Sequence, residues 1–114
     1  MLSARNRMTR STDFDATVRR GRKAVQPDLV IYMRRATGDP KFGLIVSRSV
    51  GSAVQRHGLS RRLRHVARDL VAELNGSEHV VVRALPSSRD LPSARLSEQL
   101  RAGLRRIEAA GTKR

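Results

Sequence analysis

Between Asp39 and Asp69 the chain has no acidic residue, while Lys41, Arg48, Arg56, Arg61, Arg62, Arg64 and Arg68 are all basic. Across the same region Leu59, Leu63, Val66, Leu70 and Leu74 recur at spacings of 4, 3, 4 and 4, one face of a long helix that starts near Ser52. At about 100° per residue the apolar stripe centres near Leu59 and Leu70. His57, Arg61, Arg64, His65 and Arg68 then fall on the opposite side. Such a helix must lay its Leu face on a sheet or on other helices and turn its cations to solvent. No acid at i+4 neutralises these Arg side chains before Asp69, so their repulsion stands. Plain solvation and phosphate binding both accommodate a cationic face, and the uncompensated repulsion favours phosphate.

The rest of the chain reads around that helix. Ser11-Thr12-Asp13 offers N-cap chemistry, and Phe14 and Val18 at i, i+4 followed by Gly21 predict a helix of about two turns. Leu29–Met33 and Phe42–Val46 are apolar runs flanking Thr37-Gly38-Asp39-Pro40, which can only turn, so they read as an antiparallel hairpin. Asn75-Gly76 is the expected stop of the long helix. Val80-Val81-Val82 is a buried strand, and Pro92-Ser93 opens a last helix carrying Leu96, Leu100, Leu104 and Ile107, with Gly111 as its stop. The order is α-β-β-α-β-α, helices on a small sheet, within the α+β class. At 114 residues this is one domain over residues 1–114, with loose basic ends at 1–10 and 111–114.

Composition narrows the partner. Lys plus Arg number 24 against 10 acids, a net charge of +14, which calls for a polyanion. Nucleic acid is the first candidate and an anionic membrane surface the second. Only Lys23, Lys41 and Lys113 are lysines, and the planar fork of Arg suits phosphate and base stacking in RNA. A membrane-surface role needs an amphipathic helix with a large exposed apolar face, whereas these apolar faces are needed for the core. No apolar run approaches the roughly 18 residues of a membrane span, and Met1-Leu2-Ser3-Ala4-Arg5 lacks a secretory core, so a cytoplasmic location is expected. Phe14, Tyr32 and Phe42 are the only aromatics, and there is no Cys for a disulfide or a thiolate zinc site.

No catalytic constellation emerges. His57 and His65 are eight residues apart with no carboxylate nearby, a poor metal pair. Asp13 and Asp15, two apart, point to different sides of a helix. Gly51-Ser52 ahead of the long helix either lets backbone N–H groups approach a phosphate or is a plain strand-to-helix turn; no Gly-Lys-Ser/Thr follows. Neither a protein-borne metal nor a small-molecule substrate is expected.

Residues 42–64, Phe-Gly-Leu-Ile-Val-Ser-Arg-Ser-Val-Gly-Ser-Ala-Val-Gln-Arg-His-Gly-Leu-Ser-Arg-Arg-Leu-Arg, resemble the signature of the protein subunit of bacterial ribonuclease P. That family shows Gly-Leu-Ser-Val-Ser-Lys-Lys-Val-Gly-Asn-Ala-Val, then Arg-Asn-Arg and a basic helix. Asp13-Phe14 with Gly21 is similar to its opening helix, and Val80-Val81-Val82-Arg83 before Pro86 to its last strand and turn. The resemblance spans about residues 5–107. It implies an α-β-β-(β)-α-β-α sandwich, a small mixed sheet packed by helices, ribosomal protein S5 domain 2-like, with a left-handed crossover through the long helix. It implies ribonuclease P RNA and precursor tRNA as partners, in an endonuclease whose RNA, with Mg²⁺ bound mainly by that RNA, removes the 5′ leader. The RNA-subunit contacts it implies are Arg48, Arg56, His57, Arg61, Arg62, Arg64 and Arg68; the leader cleft it implies holds Phe14, Val18 and Tyr32. His57-Gly58 stand where the family has Asn-Arg, Ser60 replaces a common Lys, and Val18 a frequent aromatic. Phe14 reads equally as part of a helix face buried in the core, and Val18 reads more readily as core than as a leader contact. A basic ribosome-associated or general RNA-binding module without a nuclease role is the alternative that charge alone supports.

Overall fold

The computed structural model describes residues 2–74 and 76–112. Helix α1 spans Ser11–Arg20, strand β1 Arg22–Val25, β2 Leu29–Arg35, β3 Lys41–Ile45, helix α2 Ala53–Val71, β4 Glu78–Ala84 and helix α3 Ser93–Thr112. Short 3-10 turns at Ala4–Asn6, Arg48–Val50 and Pro86–Ser88 connect them. The sheet order is β1-β2-β4-β3, with β1/β2 and β2/β4 antiparallel and β3/β4 parallel. This is the expected α+β sandwich, and β1 is the extra strand ahead of the long helix.

The hairpin expected between residues 29–33 and 42–46 does not form. Strand β4 lies between the two, because Val80, Val81 and Val82 are fully buried and need a neighbour on both edges. The connection through Thr37-Gly38-Asp39-Pro40 crosses the end of β4, with Gly38 in the left-handed region at φ 82°. The true hairpin is β1/β2, closed at Gln26-Pro27-Asp28 by Gln26 N–H donating to Leu29 O at 2.8 Å.

Strand alternation gives the sheet two faces. Leu29, Ile31, Phe42, Val80 and Val82 meet the Leu59, Leu63, Val66 and Leu70 stripe of α2 and the Leu96, Leu100, Leu104 and Ile107 stripe of α3. Gly103 lets α3 close on the sheet: a Cβ there would lie 2.7 Å from Ile31 Cδ1. On the other face Val30, Tyr32 and Val81 gather with Met8 beneath Phe14 and Val18 of α1.

Several local expectations are corrected. The N-cap of α1 is Arg10, with no side-chain cap, and Ser11 is already helical. Helix α2 ends at Val71, before Leu74, which still packs on the core from the turn beyond; Asn75 lies outside the described residues. Helix α3 runs through Gly111 to Thr112, so that glycine is no stop, and residues 113–114 are likewise outside the description. Residues 2–10 are tied down: Leu2 and Met8 are buried, Met8 N–H donates to Phe42 O at 2.8 Å, and Asn6 Nδ2 donates to Pro40 O at 2.8 Å.

Candidate nucleic-acid interface

Helix α2 starts on a capping box. Ser52 Oγ accepts from Gln55 N–H at 3.2 Å, and Gln55 Oε1 accepts from Ser52 N–H at 2.8 Å. A Cβ on Gly51 would run into Gln55 Oε1 and the Arg89 side chain, so the space beside this glycine is filled from within the chain. The geometry is that of the plain strand-to-helix turn.

The cations expected on α2 separate into two kinds. Arg61 and Arg64 lie on the outer side, and no hydrogen bond or ion pair to the chain holds either among the described residues. Arg48 and His57 are exposed in the same unpaired way. Arg68 pairs with its neighbour Asp69 at 3.3 Å, both side chains wet, an interaction worth little. Arg62 and Arg56 are committed inward. Arg62 Nε donates to Leu91 O at 3.0 Å and its Nη2 to Arg89 O at 2.7 Å, pinning the segment before α3. Arg56 Nε donates to Gly51 O at 3.2 Å. A groove of about 520 Å³ lies along the free ridge, bounded by Gly58, Arg61, Arg62, Arg64, His65 and Ser93.

The residues that the resemblance assigns to a cleft come together on the opposite face of the sheet. Phe14 and Val18 are half-buried, sitting on Met8, Val30, Tyr32 and Val81. Tyr32 is only 6 % exposed and lies in β2, an inner strand flanked by β1 and β4, not at the sheet edge. It forms floor, not rim. Val25 is 55 % exposed, and Ile45 and Leu85 are half-exposed around it. By alternation the same face carries Lys23, Arg34, Lys41 and Arg83, cations that sequence reading left unassigned. For two of them the signal was available: Arg34 follows Met33 and Arg83 follows Val82, each an apolar residue of the opposite face.

At one end of this face Arg34 is held by Asp13, with Nη2–Oδ1 at 3.6 Å, and by Thr17, whose Oγ1 accepts from Nε at 3.3 Å. Arg34 Nη2 also lies 3.5 Å from Nδ1 of His79, which is 4 % exposed. Burial, reinforced by the charges of Arg34 and Lys41 and opposed by Asp13, holds the His79 ring below its ordinary pKa. Among the described residues no three His, Asp or Glu side chains gather as a metal site. No helix among them is long and apolar enough to cross a membrane.

Comparison with known proteins supplies the context. A family model described as Ribonuclease P matches residues 2–108. The chain is 59 % identical over 116 residues to the ribonuclease P protein component of Mycobacterium tuberculosis, with both chains covered in full. It is 56 % identical over 110 residues to that of Mycobacterium leprae, 92 % of each being covered. Among solved structures it is similar to the RNase P protein of Staphylococcus aureus, with TM-score 0.78, 20 % identity, and 88 % of this chain and 93 % of that one covered. It is also similar to the RNase P protein of Thermotoga maritima, with TM-score 0.75, 21 % identity, and coverage of 92 % and 97 %. At those identities the solved structures bear on the fold.

Proposed function

Since the chain belongs to the ribonuclease P protein family, we propose that it binds the catalytic RNA of that ribonucleoprotein through α2 and the 5′ leader of precursor tRNA through the sheet face under α1. The observation that carries this reading is the presence of two cationic surfaces on opposite sides of one small sheet. The outer ridge of α2 presents His57, Arg61 and Arg64, and the turn ahead of it Arg48, without partners among the described residues; Arg68 is only loosely paired, Arg56 braces the start of the helix and Arg62 the segment before α3. Phosphates approaching that ridge relieve a repulsion that no acid of the helix relieves before Asp69.

The α1 face differs in chemistry. Its floor is Tyr32, Val30 and Val81, its wall is Phe14 and Val18, and its surround is Lys23, Lys41 and Arg83. A single strand suits it: bases lie against apolar side chains while the backbone follows the cations. Phe14 offers a ring edge or face for stacking, and Val18 a smaller apolar contact. Cleavage then belongs to the RNA partner with its Mg²⁺. The chain positions the strand, neutralises phosphates and supplies no acid, base or nucleophile. A cytoplasmic site of action fits that substrate.

Reconstitution tests the reading. With a bacterial ribonuclease P RNA at low Mg²⁺, the protein restores 5′ processing of precursor tRNA that the RNA alone performs poorly, and the protein alone cleaves nothing. RNA-free cleavage at the leader junction, or no gain on adding protein, would reject it.

A further inference from the structure

A cavity of about 570 Å³ opens where the start of α1 faces the ends of β2, β3 and β4, lined by Thr9, Arg10, Asp13, Arg34, Thr37, Lys41 and His79. Three fixed cations, Arg10, Arg34 and Lys41, share it with one carboxylate, Asp13, so cationic charge exceeds what the chain itself neutralises. Lys41 donates to Arg5 O at 2.8 Å and Arg34 is braced by Asp13 and Thr17, which fixes both heads at the cavity. The N-terminus of the ten-residue α1 adds N–H groups that no side chain caps.

His79 is the independent sign of a ligand. It is buried, and its Nε2 has no hydrogen-bond partner. A guanidinium only donates, so Nδ1 accepts from Arg34 and the ring proton sits on Nε2. A buried N–H without a partner is costly unless something else meets the group. A second proton, on Nδ1, would face Arg34 directly and has Lys41 and Arg10 nearby; among the acids only Asp13 faces it. Glu78, the adjacent acid on β4, alternates to the other side of the sheet. An anion in the cavity reverses that balance by drawing Arg34 toward itself and stabilising an imidazolium.

We propose that this cavity is a phosphate-binding site whose occupation is coupled to uptake of a proton by His79. Arg34 is two residues along β2 from Tyr32 on the same face, so the site would hold a phosphate at one end of the RNA path. That placement rests on the leader reading, whereas the anion site itself does not.

The test follows backbone amides by NMR during titration with sulfate, whose charge is constant across the pH range, with inorganic phosphate, and with the diester UpU. Residues 9, 10, 34, 37, 41 and 79 should shift together and saturate with sulfate. Affinity should strengthen as pH falls from 8 to 6, by no more than about tenfold per pH unit, the limit for one proton. Arg10→Gln, at an exposed position, should weaken sulfate at every pH. His79→Phe, which also removes the Nε2–H donor, should leave one weaker affinity that no longer changes between pH 8 and 6. Saturation by UpU assigns the site to a strand phosphodiester, and response to inorganic phosphate alone assigns it to a free or terminal phosphate; either upholds the shared chemistry. Shifts that never saturate and spread equally over α2 would overturn the site. A pH dependence that survives His79→Phe would overturn the coupling. If sulfate fails while precursor tRNA still binds more tightly than mature tRNA, this inference falls and the leader reading stands; the opposite pattern removes only the leader reading.

Discussion

Gly43, the first glycine of the signature stretch, makes room for an aromatic ring, and replacing it tests the wall of the cleft. A Cβ at position 43 would lie 2.5 Å from Cε1 and 2.6 Å from Cζ of Phe14, and 3.1 Å from Met8 Sδ. Ordinary carbon contacts sit at about 3.5–4.0 Å, so the ring must retreat by about 1 Å. Strand β3 cannot yield instead, because Gly43 is registered against Val81 of the central strand β4. Overpacking of this kind costs about 1–3 kcal/mol. Relief of glycine's backbone entropy returns about 0.5–1 kcal/mol. We therefore expect Gly43→Ala to destabilise the protein by about 1–2 kcal/mol in urea unfolding, with an unchanged m-value. In a Phe14→Ala background the same substitution should be neutral or slightly stabilising, giving a coupling energy of about 1–3 kcal/mol. Equal costs in both backgrounds would show that Phe14 does not occupy the space over Gly43.

Three further outcomes follow from named contacts. Arg61→Gln and Arg64→Gln should each lower the magnitude of the salt slope of RNA binding by somewhat under one unit without altering Tm, whereas Arg62→Ala should lower Tm, because two carbonyl acceptors before α3 lose their donor; equal thermal effects at all three positions would erase the distinction. Gly58→Ala should stabilise by about 0.5–1 kcal/mol in thermal unfolding, since helix interiors penalise glycine and a Cβ there meets only Arg62 Nη1 at 3.6 Å; a loss of stability would mean that the glycine serves α2 in some other way. Two pH steps should be separable by unfolding at graded pH. The folded pKa of His79 is depressed, so its neutral form's contribution is present above the ordinary value near 6.5 and declines as pH falls below it, a step absent in His79→Phe. Asp28 is held below the usual carboxylate range by hydrogen bonds from Ser87 and Gln99, so its contribution is present above about pH 4 and lost as pH falls further, a step absent in Asp28→Asn.

Much of the layer structure was legible, because α2 and α3 each carry an uninterrupted apolar stripe and β4 is apolar on both faces over its three central valines, Val80, Val81 and Val82. Strand neighbours were not. The Thr37–Pro40 turn looks local, but β4, arriving more than thirty residues later, competes for the same edge of β2 and buries three valines in winning it. Strand β1 escaped notice because Arg22-Lys23-Ala24-Val25 has one buried side chain, Ala24, and its pairing is set by the turn at Gln26-Pro27-Asp28. Helix ends misled for a related reason: Gly111 stays helical, and the capping box of Ser52 and Gln55 marks the start of α2 more reliably than Gly51 does. The cationic ridge was visible as a helical period, yet which of its arginines are free depends on carbonyls at Gly51, Arg89 and Leu91 that only the fold brings near. The Arg34–His79–Asp13 group joins three elements and has no sequence spacing at all.

In the proposed division of labour, two faces of one sheet serve two RNAs. Its most direct test measures, in one set of reconstituted complexes, the affinity for the ribonuclease P RNA and the ratio of precursor to mature tRNA affinity. Phe14→Ala, verified as folded by its melting curve, should reduce the precursor-to-mature ratio, by up to about 1–3 kcal/mol if one base stacks on the ring, and leave RNA-subunit affinity unchanged. The double variant Arg61→Gln/Arg64→Gln should weaken the RNA subunit and leave that ratio unchanged. If both variants lower both quantities together, the two faces do not divide the work, and the chain is a general phosphate binder.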